Sequence, residues 1–85
     1  MFYFVYVLRS EKDKSFYIGF TRNVSRRLKE HDGGKNISTA SRRPLKLIYY
    51  EAQLEEANAR KRERYFKTTK GKTILRVILN DGLKI

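Results

Sequence analysis

The hydrophobic pattern changes period several times along the chain, and each change predicts an element. Residues Phe2 to Leu8 are aromatic or β-branched at both odd and even positions, which predicts a strand covered on both faces. Ser10 to Ser15 is short and polar, a hairpin connection, and Phe16 to Phe20 is its partner strand. Gly19 interrupts that strand, where glycine is unfavourable unless another group must come close to the backbone. From Asn23, a predicted N-cap, to Gly33 and Gly34, a predicted stop, the period becomes helical. Lys35 to Arg43 reads as a polar, basic loop. Pro44 to Ala52 reads as a third strand, with Leu45, Leu47 and Tyr49 on one side and Ile48 and Tyr50 on the other. Glu55 to about Thr68 predicts a second helix. Thr73 to Asn80 predicts a third, with Ile74, Leu75, Ile78 and Leu79 facing in and Gly82 as its stop.

The order is therefore β-β-α-β-α-α, an α/β (α+β) arrangement. It implies a three-stranded, mainly antiparallel sheet flanked by helices. At 85 residues, a single domain over 1–85 is expected.

Charge narrows the function class. A hydrophobic content of 40% excludes a mainly disordered chain, yet the formal net charge is +11. That balance fits a partner made of phosphates better than a neutral metabolite. Residues 21–50 carry eight basic groups against two acidic ones, so the phosphate-facing surface is expected there. Arg26, Lys35, Arg42 and Arg43 are its candidate contacts, and replacing Arg42 and Arg43 is expected to weaken binding with little effect on stability. With no cysteine, disulfides and thiolate metal sites are excluded. No apolar run approaches the roughly 20 residues of a membrane span, and the apolar start lacks a basic leader and a cleavage site. A cytoplasmic location without membrane attachment is the expectation.

Two helices carry polar groups on the stripe that should meet the core. Val24, Arg27, Leu28 and His31 share one face of the first, and Ala59, Glu63 and Phe66 share one face of the second. Together with Tyr6 and Tyr17 these give five residues whose positions are unusual. Each has an ordinary explanation on its own. Strand tyrosines are often half-buried, a helix-end histidine suits the dipole, an arginine stem can lie along the core, and Glu63 can pair with Arg60 or Lys67 one turn away.

Taken in order, the five resemble one family. Phe4, Val5 and Tyr6, then Tyr17, Ile18 and Gly19, look like the two halves of the GIY-YIG nuclease signature, with Phe4 in place of its first glycine. Arg27 and His31 one helical turn later are similar to the family's helix residues. Glu63, four residues after Ala59, resembles its metal-binding glutamate. The stretch from Ser41 to Glu51 looks like the small, stand-alone bacterial members called excinuclease-like, and the resemblance covers nearly the whole chain.

The resemblance implies an endonuclease that hydrolyses phosphodiester bonds in DNA, in repair or recombination, with one Mg²⁺ or Mn²⁺ ion. It implies Tyr6, Tyr17, Arg27 and His31 at the reaction, Glu63 as the metal ligand, and Tyr6, Tyr17 or His31 as the group that moves the proton. The asparagine that many members carry on the last helix has Asn80 as its only candidate. Many members also carry a separate DNA-binding domain, and none is expected within these 85 residues. The basic surface then binds nucleic acid directly, or a second protein delivers the substrate. Two other readings compete: a non-catalytic nucleic-acid-binding module that keeps the fold, and a small RNA- or ribosome-associated protein. Hydrolysis requires charge neutralisation at phosphorus and an activated water. Arg27 offers a planar fork of donors for phosphate oxygens, and one carboxylate can hold a hard divalent ion. Neither rival needs a carboxylate on a core-facing stripe.

Overall fold

A computed structural model describes residues 1–83. Strand β1 (Tyr3–Ser10) is the middle of a sheet ordered β2-β1-β3, antiparallel to β2 (Phe16–Thr21) on one side and to β3 (Leu45–Gln53) on the other. Its central place explains its two-sided hydrophobicity, since Val5, Tyr6, Val7 and Leu8 are all buried. The pleat sends alternate side chains to opposite faces. Val5 and Val7 join Ile18, Ala59, Phe66, Leu75 and Leu79 in the main core, which lies between the sheet and helices α3 (Glu56–Phe66) and α4 (Thr69–Leu83). Tyr6 points to the other face, which α1 (Val24–Asp32) covers.

The α1 boundaries follow the expected cap chemistry. Asn23 is extended and its side chain accepts the Arg26 amide at 3.0 Å. At the far end it is Gly34, with φ +73°, and not Gly33 that takes the left-handed conformation.

Three expectations change. The loop after α1 contains a further helical turn, α2 (Ile37–Ala40), N-capped by Asn36 through a 3.0 Å bond from the Ser38 amide. Four residues are too few to show a period, so no pattern announces it. In β3 the alternation breaks. Leu47 faces Leu8 while Tyr49 faces Val7, which leaves Ile48 as the bulged residue. Ile48 and Tyr49 consequently both pack on the main core, whereas Tyr50 stands against Phe4 on the other face with ring centres 6.0 Å apart. Finally, α4 starts at Thr69 and runs to Leu83, through the position proposed as its stop. Leu75 and Leu79 are buried, but Ile74 is exposed. Its early start depends on Gly71, because a Cβ there would collide with the Tyr65 carbonyl at the end of α3.

No helix among the described residues is long and apolar enough to cross a membrane.

Candidate active site

Tyr6 is the hub of the face covered by α1. It stands directly across the ladder from Gly19, and its ring lies in the space a side chain at Gly19 would fill. The close approach expected at Gly19 is thus made by a residue of the chain itself. The hydroxyl of buried Tyr6 lies 2.9 Å from His31 Nε2 and accepts a hydrogen bond from Arg27 Nε at 3.2 Å. Arg27 and His31 reach it together because they are one turn apart on α1. The Tyr17 ring packs against both partners, 6.3 Å from Tyr6 and 5.1 Å from His31 between ring centres. Arg27 also donates to Glu30 at 2.9 Å and keeps about a third of its side chain in solvent. Four of the five residues singled out in the sequence are therefore in contact.

Glu63 approaches from a different element. On α3, Arg62 turns toward β3, where it binds Glu51 at 2.6 and 3.1 Å, while Arg60 stands over the ring of Phe20 on β2. Glu63 is three residues after Arg60 and shares its side of the helix, so it lies toward β2. Its carboxylate makes no hydrogen bond to the four, and its charge is the least of the influences on the Tyr6 phenol, whose pKa it raises. Its partner is Lys67, at 3.1 Å.

Electrostatics sets the protonation states. Burial pushes the Tyr6 phenol up to about 12, against the opposing pull of Arg27, so at neutral pH it carries its proton. The hydrogen bond from Arg27 to Tyr6, followed by that to Glu30, holds the guanidinium above its usual range. Burial first, and the positive charge of Arg27 second, keep His31 below the ordinary histidine pKa, and nearby Glu30 and Asp32 do not overcome this. The unfolded chain therefore takes up a proton near pH 6.5 while the folded chain still excludes it. Stability is lost as the pH falls from about 6.5 through the folded pKa. His31 is the only histidine, so an NMR titration reads it without ambiguity; a midpoint at or above 6.5 would contradict this environment.

A divalent ion of the Mg²⁺ type keeps several of its own waters and commonly takes one or two carboxylates, with substrate phosphate completing its shell. Glu63 fits such a ligand: its carboxylate is partly exposed, and the Lys67 ammonium beside it marks a place where a cation is already stabilised. Among the described residues no three His, Asp or Glu side chains cluster as a closed metal cage.

The remaining candidates divide. Arg26 and Lys35 are exposed, and Arg26 is only loosely paired with Glu30 at 3.9 Å. Arg42 and Arg43 are used within the fold. Arg42 reaches the Phe16 carbonyl at 3.4 Å, and its own carbonyl accepts from buried Ser10 Oγ at 2.6 Å. Arg43 donates to the carbonyls of Ala40 at 2.9 Å and Asp32 at 3.3 Å, lying over Gly34 where a Cβ would leave no room. Contrary to the sequence expectation, replacing them should cost stability. Arg43→Ala should lower the thermal midpoint by several degrees, and an unchanged melting curve would show these bonds to be idle. Asn80 is exposed on α4, lining a shallow groove with Thr73, Arg76 and Val77, and has no hydrogen bond to the Tyr6 group.

One member of the cluster gave no sequence signal. Thr39 of α2 is fully buried, and its Oγ1 lies 2.7 Å from His31 Nδ1. A threonine in a polar loop looks like any other, and only the fold brings it beneath the imidazole.

Sheet, helices and cluster together define the class. A model of the GIY-YIG catalytic domain matches residues 2–75, and the chain belongs to this family, which is a family of nucleases. Its relatives include small bacterial proteins. UPF0213 protein CPE1444 of Clostridium perfringens is 35% identical over 82 residues, spanning 95% of this chain and 87% of that protein. A UPF0213 protein of Limosilactobacillus reuteri is 38% identical over 86 residues, spanning 98% and 88%. The solution NMR structure of UPF0213 protein BH0048 from Bacillus halodurans shares the fold with a TM-score of 0.58 and 32% identity, over 92% of this chain and 85% of that one.

Proposed function

We propose that this chain is a metal-dependent endonuclease that hydrolyses phosphodiester bonds in DNA, serving repair or recombination in the cytoplasm. The observation that carries the reading is the convergence of Arg27 and His31 on the buried hydroxyl of Tyr6, with Tyr17 beside them. A structural tyrosine needs one hydrogen-bond partner. Two titratable or cationic partners on one phenol are suited to moving a proton.

Arg27 holds the phosphate. Its Nε is committed to Tyr6 and its Nη1 to Glu30, which fixes the guanidinium plane, and among the described residues Nη2 has no protein acceptor. That nitrogen is free for a phosphate oxygen, where a fixed positive charge stabilises the developing negative charge. Tyr6 handles the attacking water. With its pKa at about 12 the phenol must pass on its own proton before it can take one, and His31 Nε2 is the neighbour placed to receive it. Arg27 steadies the phenolate that forms. Tyr17 packs the ring and the imidazole into one orientation. Glu63 would hold a single Mg²⁺ or Mn²⁺, which when bound neutralises phosphate charge. Exposed Arg26 and Lys35 extend the positive surface along the nucleic acid, and a separate delivery protein would add the specificity that this small surface lacks.

Incubation with branched, nicked and plain duplex DNA, with and without Mg²⁺ or Mn²⁺, tests the proposal. Cleavage that requires the metal is expected. Binding without cleavage of any of these substrates would leave the non-catalytic module as the better description.

A further inference from the structure

Four hydrogen-bonding groups run in series through the buried interior beside α1: Arg27 Nε, the Tyr6 hydroxyl, the His31 ring and the Thr39 hydroxyl. The steps measure 3.2, 2.9 and 2.7 Å, and a last, long one of 3.5 Å joins Thr39 Oγ1 to the Asn36 carbonyl. The direction of the protons follows from the two ends. Arg27 can only donate, and the Asn36 carbonyl can only accept. Buried polar groups are rarely left without partners.

Two neutral tautomers of His31 are conceivable. With the proton on Nε2, the imidazole and Arg27 both donate to the Tyr6 oxygen, and the Tyr6 O–H, buried, has no protein acceptor among the described residues. With the proton on Nδ1, every donor finds an acceptor: Arg27 to Tyr6, Tyr6 to Nε2, Nδ1 to Thr39, and Thr39 to Asn36. The second arrangement avoids an unmet buried donor.

We propose that Thr39 is a positioning residue, whose hydroxyl oxygen accepts the Nδ1 proton of His31 and so keeps Nε2 bare to receive the hydroxyl proton of Tyr6. The consequence for cleavage rests on the nuclease reading. The Tyr6 proton passes to Nε2 and a water proton then passes to the Tyr6 oxygen, leaving hydroxide at phosphorus and imidazolium on His31, whose Nδ1–H stays bonded to Thr39. The ring does not have to turn.

The loop is built to deliver this one hydroxyl. Asn36 caps α2 with its side chain, and Arg43 ties the Ala40 carbonyl to the Asp32 carbonyl at the end of α1. The Arg42 carbonyl is held by Ser10 of β1. These anchors lie on both sides of Thr39 in the chain. The Arg43 side chain thus has a role in the loop beside the phosphate contact expected of it.

Long-range ¹H–¹⁵N NMR of the full chain at neutral pH tests the assignment, since His31 is the only histidine. The parent protein should show a protonated Nδ1 and a bare Nε2. Thr39→Val removes the acceptor, and the proton should move to Nε2; Thr39→Ser should restore the parent pattern. In cleavage assays Thr39→Val should lower kcat about 10- to 100-fold, the range seen when metal-binding histidines lose the partner that orients them, with KM little changed and Ser rescuing the rate. A parent spectrum with the proton on Nε2 overturns the proposal, and this result does not depend on whether the valine variant folds. So does a shifted proton with unchanged kcat. If the parent cuts no DNA, the nuclease reading fails, and the spectrum still decides the role of Thr39.

Discussion

Glu63→Gln should leave the protein folded and bound to DNA while metal-dependent cleavage falls about 10²- to 10³-fold, the usual effect of removing one preorganised charge-stabilising group. The substitution keeps the size and helix propensity of the side chain. It deletes the charge that would hold the ion and frees Lys67, its partner at 3.1 Å. That pair joins helix positions four apart with the lysine half in solvent, a type of contact worth little to stability. Although Glu63 falls on the same sequence stripe as Ala59 and Phe66, it lies at the rim of the stripe, so the helix should tolerate glutamine. Filter or anisotropy binding in EDTA, a melting curve and a cleavage time course with Mg²⁺ separate the possibilities. A folded Glu63→Gln protein that cleaves at the parent rate would reduce Glu63 to an ion-pair partner. Raised Mg²⁺ or Mn²⁺ that recovers part of the lost rate would instead point to weakened metal binding.

Much of the architecture was legible because local chemistry and global fold agree. An apolar strand without polar alternation became the central strand, and Asn23 capped the helix expected after it. Arg27 and His31 stood out because they break the apolar stripe of α1, and they broke it to meet Tyr6. Failures came where tertiary contacts decide. The bulge at Ile48 is a mismatch between two strands, so β3 alone could not reveal it. The bonds that Arg42 and Arg43 make within the fold were hidden because charge is visible in a sequence and carbonyl acceptors are not. Thr39 was silent for the same reason: its importance lies in what is folded over it, not in its neighbours along the chain.

Gly19→Ala should damage both the fold and the activity, because the added methyl and the Tyr6 ring cannot share one place. A Cβ at Gly19 would come within 2.7 Å of Tyr6 Cε1 and still nearer to the phenol end of the ring. Flexible side chains usually escape such a contact by swinging away. Tyr6 cannot do so cheaply: its hydroxyl is held by Arg27 and His31, its ring is buried, and Tyr17 packs beside it. Either the ring stays and the β1–β2 ladder distorts, or it moves and the buried hydrogen-bond series comes apart. Overpacking of this kind costs about 1–3 kcal/mol, equivalent to roughly 4–8 °C in Tm per kcal/mol for a domain of this size. Cleavage should fall further than the loss of folded protein explains, since any surviving native molecules have a displaced phenol. Gly33→Ala is the matching control. There the nearest atom to a new Cβ is the Lys29 carbonyl oxygen, at 3.3 Å, and the backbone is already helical, so stability and rate should change little. If Gly19→Ala melts and cleaves like the parent, the Tyr6 ring is not pinned over β2, and the proton path through its hydroxyl loses its geometric basis.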